Sequence, residues 1–515
     1  MLALPQFSRA RGALLISAAL LLSACAVGPD FKAPKPATPG SFNSLQSDSA
    51  STPLAAKINA RWWQSFNDAQ LNGLVERAMR DNLSLQQTVL RIAGARQQLN
   101  QARGAWAPSV NGNARFTRQQ LGIKGELESE GVYDRVQQAG GDTDLTPVLD
   151  SLSQPVGLYQ GSLDASWELD LWGKVRRQVE MAGAQQQQQV ESRNDALVSL
   201  QAEVVRAYLQ LRGAQSISQT LQTQIDVAQQ TLELTQSQQQ NGLAPQTSVE
   251  SARAQLNGLR AQLPPYQAQI HQAMNGLAVL TGRVPGALDG ELTAVKPLPL
   301  LPKVVPVGVP SELARRRPDV REAEAQLHAA TANIGVSIAQ LFPSFSLTGQ
   351  FGMRNSDAGY LDNWSSHFYS YGPSVSIPIF QGGRLVSSVK LARAQQASAA
   401  LGYRQAVLTA LQDVENALVS YRSDQQQVDG LDETVAAQQT AFTLASDSYR
   451  QGISSFVEAL DAQRQLAQAQ QQAERARVQS SLDLVALYKA LGGGWEVYQQ
   501  VKLPEYTVFG EAETP

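Results

Sequence analysis

The chain contains itself twice. Trp172-Gly173-Lys174 corresponds to Gly382-Gly383-Arg384, and Asn241-Gly242-Leu243 to Gln451-Gly452-Ile453, each pair 210 positions apart. Upstream, Ala107-Pro108-Ser109 corresponds to Phe342-Pro343-Ser344, and Ser84 to Asp319, now 235 positions apart. Whatever one half folds into, the other half must fold into as well, and the two must coexist in one structure. The difference of 25 residues belongs to the first repeat, between Pro108 and Gly173. It is assigned to Leu121–Pro155, a polar, Gly- and Asp-rich stretch without sustained periodicity that predicts a long surface loop.

These correspondences divide the chain into residues 1–24, a signal peptide; 25–60, an extended tether; 61–283, the first repeat; 284–310, a Pro-rich linker; 311–492, the second repeat; and 493–515, a C-terminal tail. Each repeat reads as helix, strand, strand, long helix, turn, helix. The first helix is expected to open on a capping box, Ser84 with Gln87 and Asp319 with Glu322, the cap oxygen meeting an orphan amide of the first turn. Pro318 is expected just before the second cap.

Strands are predicted at about 108–119, 157–170, 343–354 and 371–380. In Tyr159–Leu169 the odd positions hold Tyr159, Leu163, Ala165, Trp167 and Leu169, and the even ones Gln160, Ser162, Asp164, Ser166 and Glu168. Phe345, Leu347, Phe351 and Met353 alternate with Ser346, Thr348 and Gln350 in the same way, and Val375, Ile377 and Ile379 with Ser374 and Ser376. Period-two alternation gives a strand one apolar and one polar face. A length near ten residues and aromatics toward the strand ends fit a membrane barrel with lipid outside and water inside.

Long helices are predicted at 174–240 and 384–450. No proline interrupts Lys174–Gln240, and 67 residues at 1.5 Å each would span about 100 Å. Leu197, Leu200, Val204, Ala207, Leu211, Ala214, Ser218, Leu221, Ile225, Ala228 and Leu232 step by threes and fours. Val407, Val414, Tyr421, Val428, Val435 and Phe442 recur every seven residues. This is a coiled-coil seam rich in small residues. Tight turns are expected at Asn241–Pro245 and Gln451–Ser455, where Gly242 and Gly452 can take positive φ.

The N-terminus reads as an export signal. Arg9 and Arg11 precede the apolar run Ala13–Leu22, which is too short to span a bilayer as a helix. It ends in Leu22-Ser23-Ala24-Cys25, which resembles a bacterial lipobox cut after Ala24, and Cys25 is the only cysteine. Lipidation there would add several acyl chains, each buried CH₂ contributing about 0.8 kcal/mol, enough for firm anchoring. Ala26 and Val27 follow the cysteine, without the Asp that retains lipoproteins at the inner membrane, which favours the outer one. Any further crossing must be made by strands.

Four strands cannot close a barrel, which needs about eight. Three chains would supply twelve, enough for a water-filled lumen. The expected fold class is therefore an α+β membrane protein: a homotrimer with a 12-stranded transmembrane β-barrel, four strands per chain, continued by a long periplasmic α-helical coiled-coil barrel.

Composition excludes other classes. A net charge of −3 gives no footprint for nucleic acid. His271, His328 and His367 are far apart in sequence, and no Cys/His spacing suits a metal. The run Gly492-Gly493-Gly494 follows a helix where a phosphate loop would precede one. No enzyme and no cofactor beyond the covalent lipid are expected.

In this setting the chain resembles the outer membrane factor (TolC-like) family, and within it the OprM/NodT-type lipoproteins. The resemblance is carried by Gly28-Pro29-Asp30, Trp62-Trp63 with Phe66, Leu171-Trp172-Gly173, Pro310-Ser311-Glu312-Leu313 with Arg315-Arg316-Arg317-Pro318-Asp319, Phe342-Pro343-Ser344-Phe345, Pro378-Ile379-Phe380-Gln381-Gly382-Gly383 and Leu460-Asp461-Ala462-Gln463-Arg464. It implies a homotrimeric duct for efflux of small molecules or drugs, docked to a periplasmic adaptor and an inner-membrane transporter of RND or MFS type. Alternatives are a duct for protein or peptide secretion and, in a different class, a periplasmic structural coiled-coil lipoprotein. The resemblance also implies a gate at the periplasmic tip: Asp461 as a ring of three carboxylates, Val457 as an apolar constriction, and Arg450 and Arg464 as partners that hold the tip shut until the adaptor shifts the equilibrium.

Overall fold

A computed structural model describes residues 26–36, 38–44, 59–120, 122–139, 147, 154–302 and 305–504. The signal peptide and Cys25 lie outside the described residues. The helices are α1 (Ala69–Asp81), α2 (Leu83–Gly104), α3 (Ile123–Ser129), α4 (Val132–Ala139), α5 (Lys174–Gln240), α6 (Gln246–Leu280), α7 (Asp289–Leu292), α8 (Pro310–Arg316), α9 (Pro318–Ala339), α10 (Arg384–Arg450) and α11 (Phe456–Ala490). The strands are β1 (Ser109–Gln119), β2 (Val156–Leu169), β3 (Ser344–Asn355) and β4 (His367–Ser376). The duplication is kept to the residue: α2 and α9 start and stop 235 positions apart, and α5 and α10, like α6 and α11, 210 apart.

Two compact units divide the chain. The first comprises residues up to Phe31, Gln98–Ala182 and Ala330–Gln395. Its centre is an antiparallel sheet in the order β1-β2-β3-β4. The alternation sets its two faces. Cross-strand partners Phe116 and Tyr159, Leu163 and Phe351, Trp167 and Leu347, and Phe345 and Val375 share one apolar face. Asn111, Asp164, Gln350 and Ser370 share the other. The fourth strand begins at His367 rather than near Tyr371. The β3–β4 connection is shortened by two 3-10 turns capped by the side chains of Asp357 and Asn363, which return the chain to the sheet early.

The 25-residue insertion departs from a featureless loop, for it contains α3 and α4. Gly122 and Gly131, both in the left-handed region, punctuate their starts. The tether also departs from expectation. The Val27 amide donates to the Trp172 carbonyl at 3.0 Å, and Arg177 holds Asp30 at 2.6 Å. A Cβ on Gly28 would lie 2.6 Å from the Cα of Gly335, so only glycine admits this approach. Trp172 donates to the Pro343 carbonyl at 2.7 Å and stacks on Phe342. Three of the motifs that were scattered in sequence thus meet at one end of the sheet.

The second unit comprises Lys32–Gln97, Gly183–Ala329 and Gln396–Pro515. Ile217, Leu221, Ile225, Ala228 and Leu232 of α5 pack on Val249, Ala252, Leu256 and Leu259 of α6 and on Phe456 of α11. Between α5 and α11 the packing is polar and close. Gln224 accepts from the Gln471 amide and donates to Gln470 and to the Ala467 carbonyl, and Ser216 donates to Glu474. The glutamine-rich composition is thus partly interior, and these buried amides are paired with one another and with the backbone. Trp62 is buried and stacked on Tyr488, with Trp63 edge-on beside it.

Both helix starts differ from the capping-box expectation. α2 begins one residue before Ser84, and Asn82 is its cap, accepting from the Leu85 amide at 2.9 Å. α9 begins at Pro318, in the first-turn position where a missing N–H is harmless. Asp319 is inside the helix and grips Arg317 through both oxygens instead. The tail is docked at its start: Trp495 is buried under Arg321, and Arg193 donates to the Tyr498 carbonyl.

Candidate functional site

Two regions can carry the function, one in each unit. The sheet of the first unit exposes its apolar face. Val110, Phe116, Leu163, Leu347, Phe351, Tyr371 and Val375 are all exposed. Aromatics sit toward both ends of the strands: Trp106 and Trp167, joined by a hydrogen bond, at one, and Phe116, Tyr159 and Trp364 at the other. The opposite face is hydrophilic, with Asn113 donating to Asp164 and Arg354 to Gln160. β1 and β4 each pair on one side only. An apolar face of this extent, beside two unpaired edges, is unstable in water and calls for lipid and further strands. Among the described residues no helix is long and apolar enough to cross a membrane.

The second region is the pair of hairpin turns in the second unit. Gly242 and Gly452 have φ of +75° and +73°. The amide of Leu243 donates to Gln238 and that of Gly242 to Gln239; Ile453 and Gly452 do the same to Ser448 and Tyr449. This paired bonding satisfies carbonyls at the helix end, and the left-handed glycine makes it possible. It also places Leu243 and Ile453, 79% and 75% exposed, at the apex of each turn. Sequence reasoning singled out the glycines and missed these two apolar tips, although each directly follows its glycine. Tyr449 ties the hairpins together by donating to Gln238 across 211 residues.

The residues named for the gate fall on the last turn of α10 and the first turns of α11. Ser455 caps α11 through the Glu458 amide. Val457 is exposed. Asp461 and Arg464 are brought together as an i,i+3 pair, with Gln465 donating to the second carboxylate oxygen. Arg450 is bonded to Asp447 on its own helix at 2.9 Å, not to Asp461. Both ion pairs are exposed and intrahelical, so each stabilises the protomer by only a few tenths of a kcal/mol. Among the described residues no group of three His, Cys, Asp or Glu side chains could hold a metal.

A family model described as "Outer membrane efflux protein" matches residues 74–283 and 309–493, the two repeats in succession. The chain is 30% identical over 489 residues to the antibiotic efflux pump outer membrane protein ArpC of Pseudomonas putida, covering 94% of this chain and 95% of that one. Among solved structures it is similar to the outer-membrane channel OprN, at 31% identity and a TM-score of 0.80, over 92% of this chain and all of the other. It is also similar to the open state of the MtrE outer membrane channel of Neisseria gonorrhoeae, at 28% identity and a TM-score of 0.75, covering 92% and 99%.

Proposed function

Because the chain belongs to the outer membrane efflux protein family, we propose that it is the passive exit duct of a tripartite pump, assembled from three copies. It is an outer-membrane efflux channel component. The finer reading is a lipoprotein acylated at Cys25, whose strands join those of two further copies in a twelve-stranded barrel. Its hairpins extend that barrel into the periplasm, toward an adaptor and an inner-membrane transporter that supplies the energy. Small molecules or drugs are the cargo.

One observation supports closure through further copies. The duplication maps α5 onto α10 and α11 onto α6. Within one protomer α5 packs on α11, a contact between the long helix of one repeat and the return helix of the other. The equivalent contact, α10 on α6, is bridged by no hydrogen bond or ion pair among the described residues, which leaves it to a neighbouring copy. An interface of this head-to-tail kind repeats until it closes. Six repeats, two from each of three chains, then line one duct, and the same count gives twelve strands.

At the tip, Asp461 and Val457 of three copies converge into a constriction, with Arg450 and Arg464 biasing it closed. Asp461→Ala trimers in a planar bilayer are expected to show larger single-channel conductance than the native protein; equal conductance would remove Asp461 from the gate. The duct itself is tested by deletion. A strain lacking the gene becomes hypersensitive to at least part of a panel of antibiotics, dyes and detergents, and an unchanged panel argues against drug efflux.

A further inference from the structure

The hydrophilic face of the sheet is not evenly charged. Arg115, Gln160 and Arg354 are cross-strand partners and form a single row over β1, β2 and β3. Strands lie about 4.8 Å apart, so the two arginine positions are about 10 Å apart, with Gln160 between them. Both arginines are exposed. Arg354 is oriented from two sides: its Nε donates to Gln160 at 3.1 Å, and its guanidinium lies 4.6 Å over the Phe368 ring. Neither arginine has an ion pair to an acidic side chain among the described residues. The acids of the same face lie toward the other end of the strands. Asp164 sits two rows away and accepts from Asn113 and Ser162, and Glu168 is paired with Lys174.

We propose that this row is one third of a guanidinium ring at the loop end of the lumen, a site for multivalent anions such as polyphosphorylated or polycarboxylate molecules. The inference rests on the barrel reading. In a ring of twelve strands ordered β1 to β4 three times, β1 and β3 are alternate strands. Arginines then recur at every second strand, six in all. Their spacing is close to the Debye length of about 8–10 Å at physiological salt, so their fields overlap across the row. Rings of Arg or Lys are a general means of selecting anions in pores. Guanidinium forks suit phosphate and carboxylate oxygens better than any other side chain.

The test uses the full-length trimer in planar bilayers at 0.1 M salt, with inositol hexakisphosphate added to one side and then the other. Block is expected from one side only, and is expected to weaken at 1 M salt. With Arg115→Gln and Arg354→Gln together, the blocking concentration rises about tenfold or more, as for loss of a charge-assisted contact. With Arg115→Lys and Arg354→Lys, which keep the charge, block persists. Channels blocked equally in native and Gln-substituted protein would overturn the ring and leave the duct standing. A protein that forms no channels at all would overturn both.

Discussion

The two helical hairpins have equal lengths, residue for residue, yet one protomer buries them differently. Along the lower half of α5, Leu221, Ile225, Ala228 and Leu232 are buried. Their counterparts on α10, Leu431, Val435, Gln438 and Phe442, are only half-buried. The return helices reverse this. Core positions run along the whole of α11, whereas α6 has none between Leu259 and Met274. Each repeat therefore completes one helix inside the protomer and leaves the other open. Duplication normally lets two halves cover each other symmetrically. Here it leaves a complementary pair of uncovered faces, which is what a closed ring of copies requires.

Charging the open seam is expected to have the largest effect. Val435→Asp with Phe442→Asp puts two carboxylates where a neighbouring copy should pack, at several kcal/mol each if they are buried without partners. Unheated gel electrophoresis and size analysis in detergent should find monomers in place of trimers. Intact trimers would mean that this face of α10 stays wet and that the comparison between hairpins has no consequence for assembly.

Next in size is the matched pair Leu221→Ala and Leu431→Ala. Leu221 is fully buried, and its truncation should destabilise the protomer by about 2–5 kcal/mol. Leu431 occupies the equivalent position on the open helix. Its truncation should leave protomer unfolding nearly unchanged and lower only the temperature at which trimers dissociate. Equal losses in both assays would show that the two helices are covered alike.

Much of this architecture is legible in the sequence, and the exceptions have physical causes. The repeats, the strand faces and the long helices follow from periodicity, which needs no knowledge of the partner surface. Helix starts do not: Ser84 and Asp319 satisfy the capping pattern, but Asn82 lies two residues earlier and Pro318 is well suited to be a first helical residue. The meeting of Gly28, Trp172 and Phe342 is invisible because it joins segments more than 140 residues apart. The residues proposed for the gate could be placed on their helices by motif. The bonding of Arg450 to Asp447 could not be told from a bond to Asp461, since a long side chain chooses among acids by local geometry. The arginine row is hard to read from the sequence for a simpler reason: Gly112 and Ala114 stand on β1 where the other strands carry large apolar residues, so the alternation that would assign Arg115 to a face is weak.

A smaller effect is expected where the return helices differ in sequence. Pro264 and Pro265 lie inside α6, whereas α11 has Glu474 and Arg475 at the same places, bonded to Ser216 and Tyr266. A proline inside a helix removes a backbone bond and crowds the preceding turn, at about 3 kcal/mol in an unadapted helix. Pro264→Glu with Pro265→Arg should therefore raise the unfolding midpoint of the protomer, by less than that full amount because the native packing is already adapted to the two prolines. A lowered midpoint would mean that the prolines themselves fit α6 to its surroundings.

The smallest expected difference is electrostatic. The second hairpin carries Asp424 and Asp483 facing each other, where the first has Ala214 and Ala273. Partial burial, and then the hydrogen bond and repulsion from Asp483, push Asp424 up to about 6. Folding thus favours the protonated form. The pair's contribution is most favourable at low pH and is lost as pH rises from about 4 through about 6, the opposite of an ordinary ion-paired carboxylate. Asp424→Asn should accordingly be more stable than the native protein at pH 7, with the advantage shrinking at pH 5 and vanishing near pH 4. Thermal melts of both proteins at those three values decide the matter. A constant difference across the range would mean that Asp424 does not titrate there, and that the two hairpins differ in packing but not in charge.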